Sequence, residues 1–160
     1  MRSYSDYEQQ ILKSIGEDGW FCVSVSDPEG DALPFTYSVG FTQTLSSPEF
    51  IVFGLDGKLS YAMLKSVFSQ IRDGARPADG MRWDNVLRNC GCISRKVHPT
   101  NIVREHFNSA MWFWKEQGGQ GPLQAYQLVW PAAQTGEFPW EAGCPEIVRD
   151  YQPPLYVAGT

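Results

Sequence analysis

Between Gln127 and Glu141 the chain reads Gln-Leu-Val-Trp-Pro-Ala-Ala-Gln-Thr-Gly-Glu-Phe-Pro-Trp-Glu, and this stretch constrains the fold more than any other. The X-Pro steps at Pro131 and Pro139, with Gly136 between them, hold the backbone out of helix. Three large rings, Trp130, Phe138 and Trp140, are meanwhile offered to a surface. Such a loop either closes the end of a core or walls a pocket. The apolar run before it, Leu123 to Trp130, is expected to be a late strand that delivers the loop.

Upstream, the periodicities alternate between helix and strand. Ser5 to Ile15 reads as a helix with Ser5 or Asp6 as its cap and Ile11, Leu12 and Ile15 on one face, stopping at Gly16. Gly19 opens a strand, Trp20 to Ser26, and the polar turn Asp27-Pro-Glu-Gly-Asp31 leads to a second, Phe35 to Thr42, so the two should form a hairpin. Glu49 to Leu55 is the strongest strand, and Leu59 to Ile71 is an amphipathic helix. Residues 72–83, with Gly74, Pro77 and Gly80, read as a surface loop. Val86 to Val97 holds one or two strands around Cys90-Gly-Cys92. Ile102 to Gln117 is a third helix, capped by Thr100 or Asn101 and ended by Gly118-Gly-Gln-Gly-Pro122. No repeat or linker divides residues 1–160. The expected fold is therefore one α+β domain, a mostly antiparallel sheet or barrel with three flanking helices.

Composition limits the partners. The net charge is −5 and no run of Lys or Arg occurs, which argues against a nucleic-acid footprint. No apolar run approaches the ~20 residues that span a bilayer, and the first residues carry no apolar signal core. Four scattered cysteines do not make a disulfide scaffold. A reduced, cytoplasmic protein that meets a small molecule or a protein partner is the expectation.

The strand Phe35-Thr-Tyr-Ser-Val-Gly-Phe-Thr42 carries the first candidate site. Alternation places Phe35, Tyr37, Val39 and Phe41 on one face and Thr36, Ser38, Gly40 and Thr42 on the other. The small, hydroxylated face would suit a phosphate or a planar ring, with Gly40 permitting close approach. A half-buried strand whose polar face meets water shows the same alternation. With Trp130, Phe138 and Trp140, these four residues form the candidate ligand-binding set.

Other chemistry is weakly supported. Cys90 and Cys92 lack the second ligand pair of a structural zinc site and read as buried small hydrophobes. His98 and His106 have no nucleophile or second base at a telling spacing. The helix segment Met111-Trp-Phe-Trp114 wraps around more than one face, so at least one ring must look toward another element, a subunit or a ligand.

Thr36-Tyr-Ser-Val-Gly-Phe-Thr42, Ser47-Pro-Glu-Phe-Ile-Val-Phe-Gly-Leu55, Gln127-Leu-Val-Trp-Pro131, Gly136-Glu-Phe-Pro-Trp140 and Gln152-Pro153 together resemble the bacterial domain-of-unknown-function family 4262. In that family an aspartate commonly follows Trp-Pro, where this chain has Ala132. A second likeness, to flavin-binding split barrels, implies that Thr36, Ser38 and Thr42 approach a phosphate or ring edge of FMN. It also implies an aromatic from the Trp-Pro loop over the ring, and a homodimer that completes the site.

Three readings follow. The chain is a non-catalytic binding protein with an aromatic-walled pocket or surface, a flavin-dependent reductase of split-barrel type, or an immunity or accessory protein that engages a protein partner.

Overall fold

A computed structural model describes residues 3–157. Helix α1 (Asp6–Asp18) begins in a capping box: the Ser5 hydroxyl accepts from the Glu8 amide and the Glu8 side chain returns the bond to the Ser5 amide. It passes through Gly16 and ends at Gly19, whose left-handed φ of 90° turns the chain into the sheet. Strands β1 (Phe21–Val25), β2 (Phe35–Val39) and β3 (Glu49–Phe53) form an antiparallel meander. Between β2 and β3 lies a single helical turn, α2 (Phe41–Thr44).

Helix α3 (Gly57–Arg72), capped by Asp56, then crosses to a hairpin of β4 (Met81–Leu87) and β5 (Cys90–Lys96). Strand β4 therefore begins inside the stretch expected to be loop. Trp83, at 1% exposure, is one of the largest buried side chains and holds that segment to the sheet. Helix α4 (Arg104–Glu116) precedes β6 (Ala125–Val129), and a short α5 (Glu146–Asp150) lies in the C-terminal segment.

Strand β6 is inserted between β3 and β5, giving the order β1-β2-β3-β6-β5-β4. It runs parallel to β3, and every other pairing is antiparallel. The sheet is open, with β1 and β4 as its edges, so of the two expected forms it is the sheet and not the barrel. The three expected helices are present as α1, α3 and α4, with α2 and α5 as additions of about one turn each.

Both faces of the sheet are covered. Ile11 and Ile15 of α1 and Phe107, Ala110 and Phe113 of α4 pack on Phe35, Tyr37, Val39, Ile51 and Phe53. On the opposite face Met63, Leu64, Val67 and Phe68 of α3 meet Phe50, Val52, Trp83, Cys92 and Leu128. Met63, Leu64 and Val67 are fully buried, each adding ~1.5–3 kcal/mol before chain entropy is counted. On the first face, β5 and β6 are roofed by the aromatic loop and the C-terminal segment: Val129, Phe138 and Tyr156 form a third cluster with Ile93 against it. Two buried glutamines fasten this segment. Gln127 donates to the Pro153 carbonyl and accepts from the Leu155 amide. Gln152 bonds both backbone groups of Trp130.

The small hydroxyl face of β2 is neither open to a ligand nor wet. Thr36 and Ser38 lie under α3 at 1% and 0% exposure. The strand also ends earlier than its alternation suggests. Gly40 has φ 108°, a backbone that side chains resist, and an added Cβ would lie 2.9 Å from Ile15 Cγ1. The chain turns there into α2, so Phe41 joins the α3 cluster instead of continuing the Phe35–Val39 face.

Candidate functional site

The candidate residues divide between two ends of the sheet. Gly40 and Thr42 lie beside Glu49, at the start of β3. Trp130 follows the last residue of the parallel neighbour β6, and its indole N–H donates to the Phe53 carbonyl at the far end of β3. Four residue steps along β3 separate these ends by ~13 Å. Thr36 and Ser38 are enclosed in the sheet between them.

At the first end stands a residue that pattern reading passed over. Glu49 is 1% exposed and its carboxylate is ringed by donors. Oε1 accepts from the Ser38 hydroxyl at 2.7 Å and the Phe41 amide at 3.1 Å, and Oε2 from the Gly40 amide at 2.8 Å. Thr42 adds its amide and hydroxyl at 3.5 and 3.4 Å. Ser38 in turn accepts from the Phe50 amide. Burial pushes the Glu49 carboxyl up to about 7, while the donors from Ser38, Gly40, Phe41 and Thr42 pull it back down. One signal for it was present in the sequence: a lone glutamate opens an otherwise wholly apolar strand.

Thr42 connects this buried group to the surface. Its hydroxyl lies 3.4 Å from both Glu49 Oε2 and Gln117 Oε1, and it forms part of the wall of a cleft of about 390 Å³. Ser46, Ser47, Pro48, Trp114, Gln120, Pro122 and Gln124 complete the lining. Trp114 is fixed there by its indole N–H, which donates to the Gly121 carbonyl, and by Gly119, whose missing side chain leaves room for the ring. The wrapped aromatic segment of α4 thus resolves: Phe113 is core, Trp112 meets Tyr4 edge-on, and Trp114 walls the cleft.

At the other end Phe138 stacks on Trp140 with centroids 5.2 Å apart, and Trp140 meets Tyr156 edge-on. The Arg95 guanidinium lies 5.0 Å from the Trp140 centroid and 4.6 Å from that of Tyr156. Asp79 pairs with it at 3.0 Å and also accepts from the Lys96 amide. Trp130 belongs with the α3 cluster, so the three loop rings do not line one wall. Ala132 is buried in the bend, where its amide donates to the Glu137 carbonyl and its carbonyl accepts from the Gly136 amide.

The remaining reactive side chains have structural surroundings. Cys92 is buried, which pushes its thiol up to about 12, and burial raises Cys22 to about 11. Among the described residues no group of three or more His, Cys, Asp or Glu is placed to hold a metal ion. His98 caps the turn Pro99–Asn101. His106 meets the rings of Phe35 and Phe53 edge-on, and burial lowers its affinity for a proton. No helix among the described residues is long and apolar enough to cross a membrane.

Residues 14–145 match the family model described as Domain of unknown function (DUF4262). The chain belongs to this family. No curated protein and no solved structure matches it. The segments that carry the DUF4262 resemblance now have positions: Ser38, Gly40 and Glu49 form the carboxylate cradle, and Gln127, Trp130 and Gln152 form the latch that fastens the C-terminal segment. In this DUF4262 chain the matched residues thus supply the carboxylate cradle, with Gln127 and Trp130 of the latch, while Gln152 lies beyond the matched range.

Proposed function

We propose that this protein binds a small, uncharged polar ligand in the cleft between the Thr42–Pro48 segment and the Trp114–Gln124 turn, without catalysing its conversion. One observation carries the reading. The cleft presents hydroxyls and amides from Thr42, Ser46, Ser47, Gln120 and Gln124 beside one clamped indole, and among the described residues its lining includes no charged side chain. Hydroxyl and amide groups match a neutral ligand by hydrogen bonding, and the ring covers its apolar side. A general acid or base would have to come from Glu49, whose oxygens are already taken up by backbone and hydroxyl donors.

The flavin reading has less support. It calls on Thr36 and Ser38 to reach a phosphate, and both are enclosed beneath α3. Of that set the cleft retains Thr42, and among the described residues its lining offers no cation for a phosphate.

Ligand-observed NMR with a library of neutral polyols, amides and saccharides, with FMN included, tests the proposal. Hits that disappear for Trp114→Ala and weaken for Gln124→Ala are expected. Saturable FMN binding would favour the flavin reading, and hits indifferent to both substitutions would overturn the cleft.

A further inference from the structure

We infer that the open edge at β1 is a docking site for an extended, basic peptide segment, which would add to the sheet as a further antiparallel or parallel strand. The two edges of the sheet differ. At β4 the ladder is interrupted between Trp83 and Leu87, Asn85 has φ 62°, and α3 covers the outer carbonyls. There Gln70 donates to the Asp84 carbonyl and Ser66 to that of Asn85. Interruptions, charges and covering side chains are how folded proteins shield an edge from further pairing.

Strand β1 has none of these within it. Phe21-Cys-Val-Ser-Val25 contains no charge and no proline, pairs with β2 in unbroken register, and meets no other strand among the described residues. Its outer backbone groups are therefore suited to receive a strand.

Charge selects the occupant. No Lys, Arg or His occurs between Lys13 and Lys58, and the charged residues nearest β1 in the sequence on either side are acidic, although Lys58 follows Gly57, which lies against Ser24. Glu17 and Asp18 stand exposed before it, and Glu29 and Asp31 stand exposed after it. Asp27 is already used within the turn, accepting from the amides of Glu29, Asp31 and Ala32. Beside β1 lies a hollow of about 370 Å³ bordered by Asp18, Trp20, Cys22, Ser24 and Tyr61. Tyr61 is 45% exposed and stacks on Trp20 at 5.4 Å, so a carboxylate and an aromatic pair flank the place where a Lys or Arg side chain would lie.

A second copy of this chain is a poor occupant. Antiparallel pairing of two β1 strands would set the Asp18 end of one against the Asp27–Asp31 turn of the other. Parallel pairing would set like ends together, and both arrangements oppose negative charges.

The probe is a fluorescein-labelled, end-blocked peptide, Lys-Thr-Val-Lys-Val-Thr-Lys, titrated into the full chain by anisotropy and followed by amide chemical shifts. Saturable binding is expected, with shifts centred on Phe21–Val25. Affinity should fall about fivefold or more when Asp18→Asn, Glu29→Gln and Asp31→Asn are combined, and again at higher salt. These side chains are exposed, so the fold is expected to persist, which circular dichroism checks. A probe N-methylated at every residue, which removes the amide donors from both of its backbone edges, should not bind. Binding unaffected by N-methylation, shifts confined elsewhere, or no saturation by about 1 mM peptide would each overturn the proposal. A homodimer whose β1 amides become protected would overturn it as well.

Discussion

The side-chain amide of Gln152 takes the place of a strand partner for Trp130, with Nε2 donating to the Trp130 carbonyl at 2.8 Å and Oε1 accepting from the Trp130 amide at 2.9 Å. Gln152 is 1% exposed, so no water can replace it without rearrangement. Gln152→Leu leaves the part-buried amide and carbonyl of Trp130 unpaired and should destabilise the fold by about 1–3 kcal/mol. Urea denaturation checks this as a lower midpoint at unchanged slope. A loss under ~0.5 kcal/mol would mean that the C-terminal segment is held by its rings alone.

Glu49 predicts how stability depends on pH. Its folded carboxyl sits near 7 against an ordinary 4.5, so between those values the folded state holds more proton than the unfolded chain. Unfolding then releases a proton, and the contribution, complete below pH 4.5, is lost as pH rises through 7. The size is on the order of 3 kcal/mol. Glu49→Gln should flatten this slope, and it should also lower stability by about 1–3 kcal/mol, because the new amide faces donors. Chemical denaturation at several pH values between 4 and 8, for both forms, gives the comparison.

Gly119 underlies the cleft. An alanine there would collide with the Trp114 ring and its carbonyl. Gly119→Ala is expected to cost about 1–3 kcal/mol and to displace the indole. A shift of the tryptophan emission spectrum, together with loss of any cleft ligand, is the readout. Unchanged emission would place the ring free of this turn.

Arg95 is 6% exposed between two rings and Asp79. Lysine keeps the charge but loses the flat guanidinium that lies against Trp140 and Tyr156. Arg95→Lys should therefore destabilise by ~1 kcal/mol, and Asp79→Asn by less, since Asp79 is half exposed. Thermal melts of both variants rank the two effects. The reverse ranking would mean that the ion pair outweighs the stacking.

Much of the architecture was legible because it rests on local rules. The 3.6-residue spacing of Met63, Leu64, Val67, Phe68 and Ile71 marks α3, and the Asp27–Asp31 turn marks the β1–β2 hairpin. Where the local signal was misleading, a distant contact decided. The alternation of β2 ran on through Gly40 to Thr42, but Ile15 of α1 and the Glu49 carboxylate turn the chain there into α2. Residues 72–83 carry loop chemistry, yet burial of Trp83 recruits their end into β4.

The candidate site was legible only in part. Thr42 lines the cleft, but its companions Ser46, Trp114 and Gln124 come from segments far apart in sequence. No spacing rule links them, because they meet only when β6 enters the sheet beside β3. By itself the sequence determined the family, the three long helices, the β1–β2 hairpin, β3, β6 and the aromatic loop, since these depend on side-chain period and turn chemistry over a few residues. Tertiary structure decided which faces are buried, which end of the sheet each ring occupies, and that Glu49 lies inside, because pairing between distant strands sets what each residue touches.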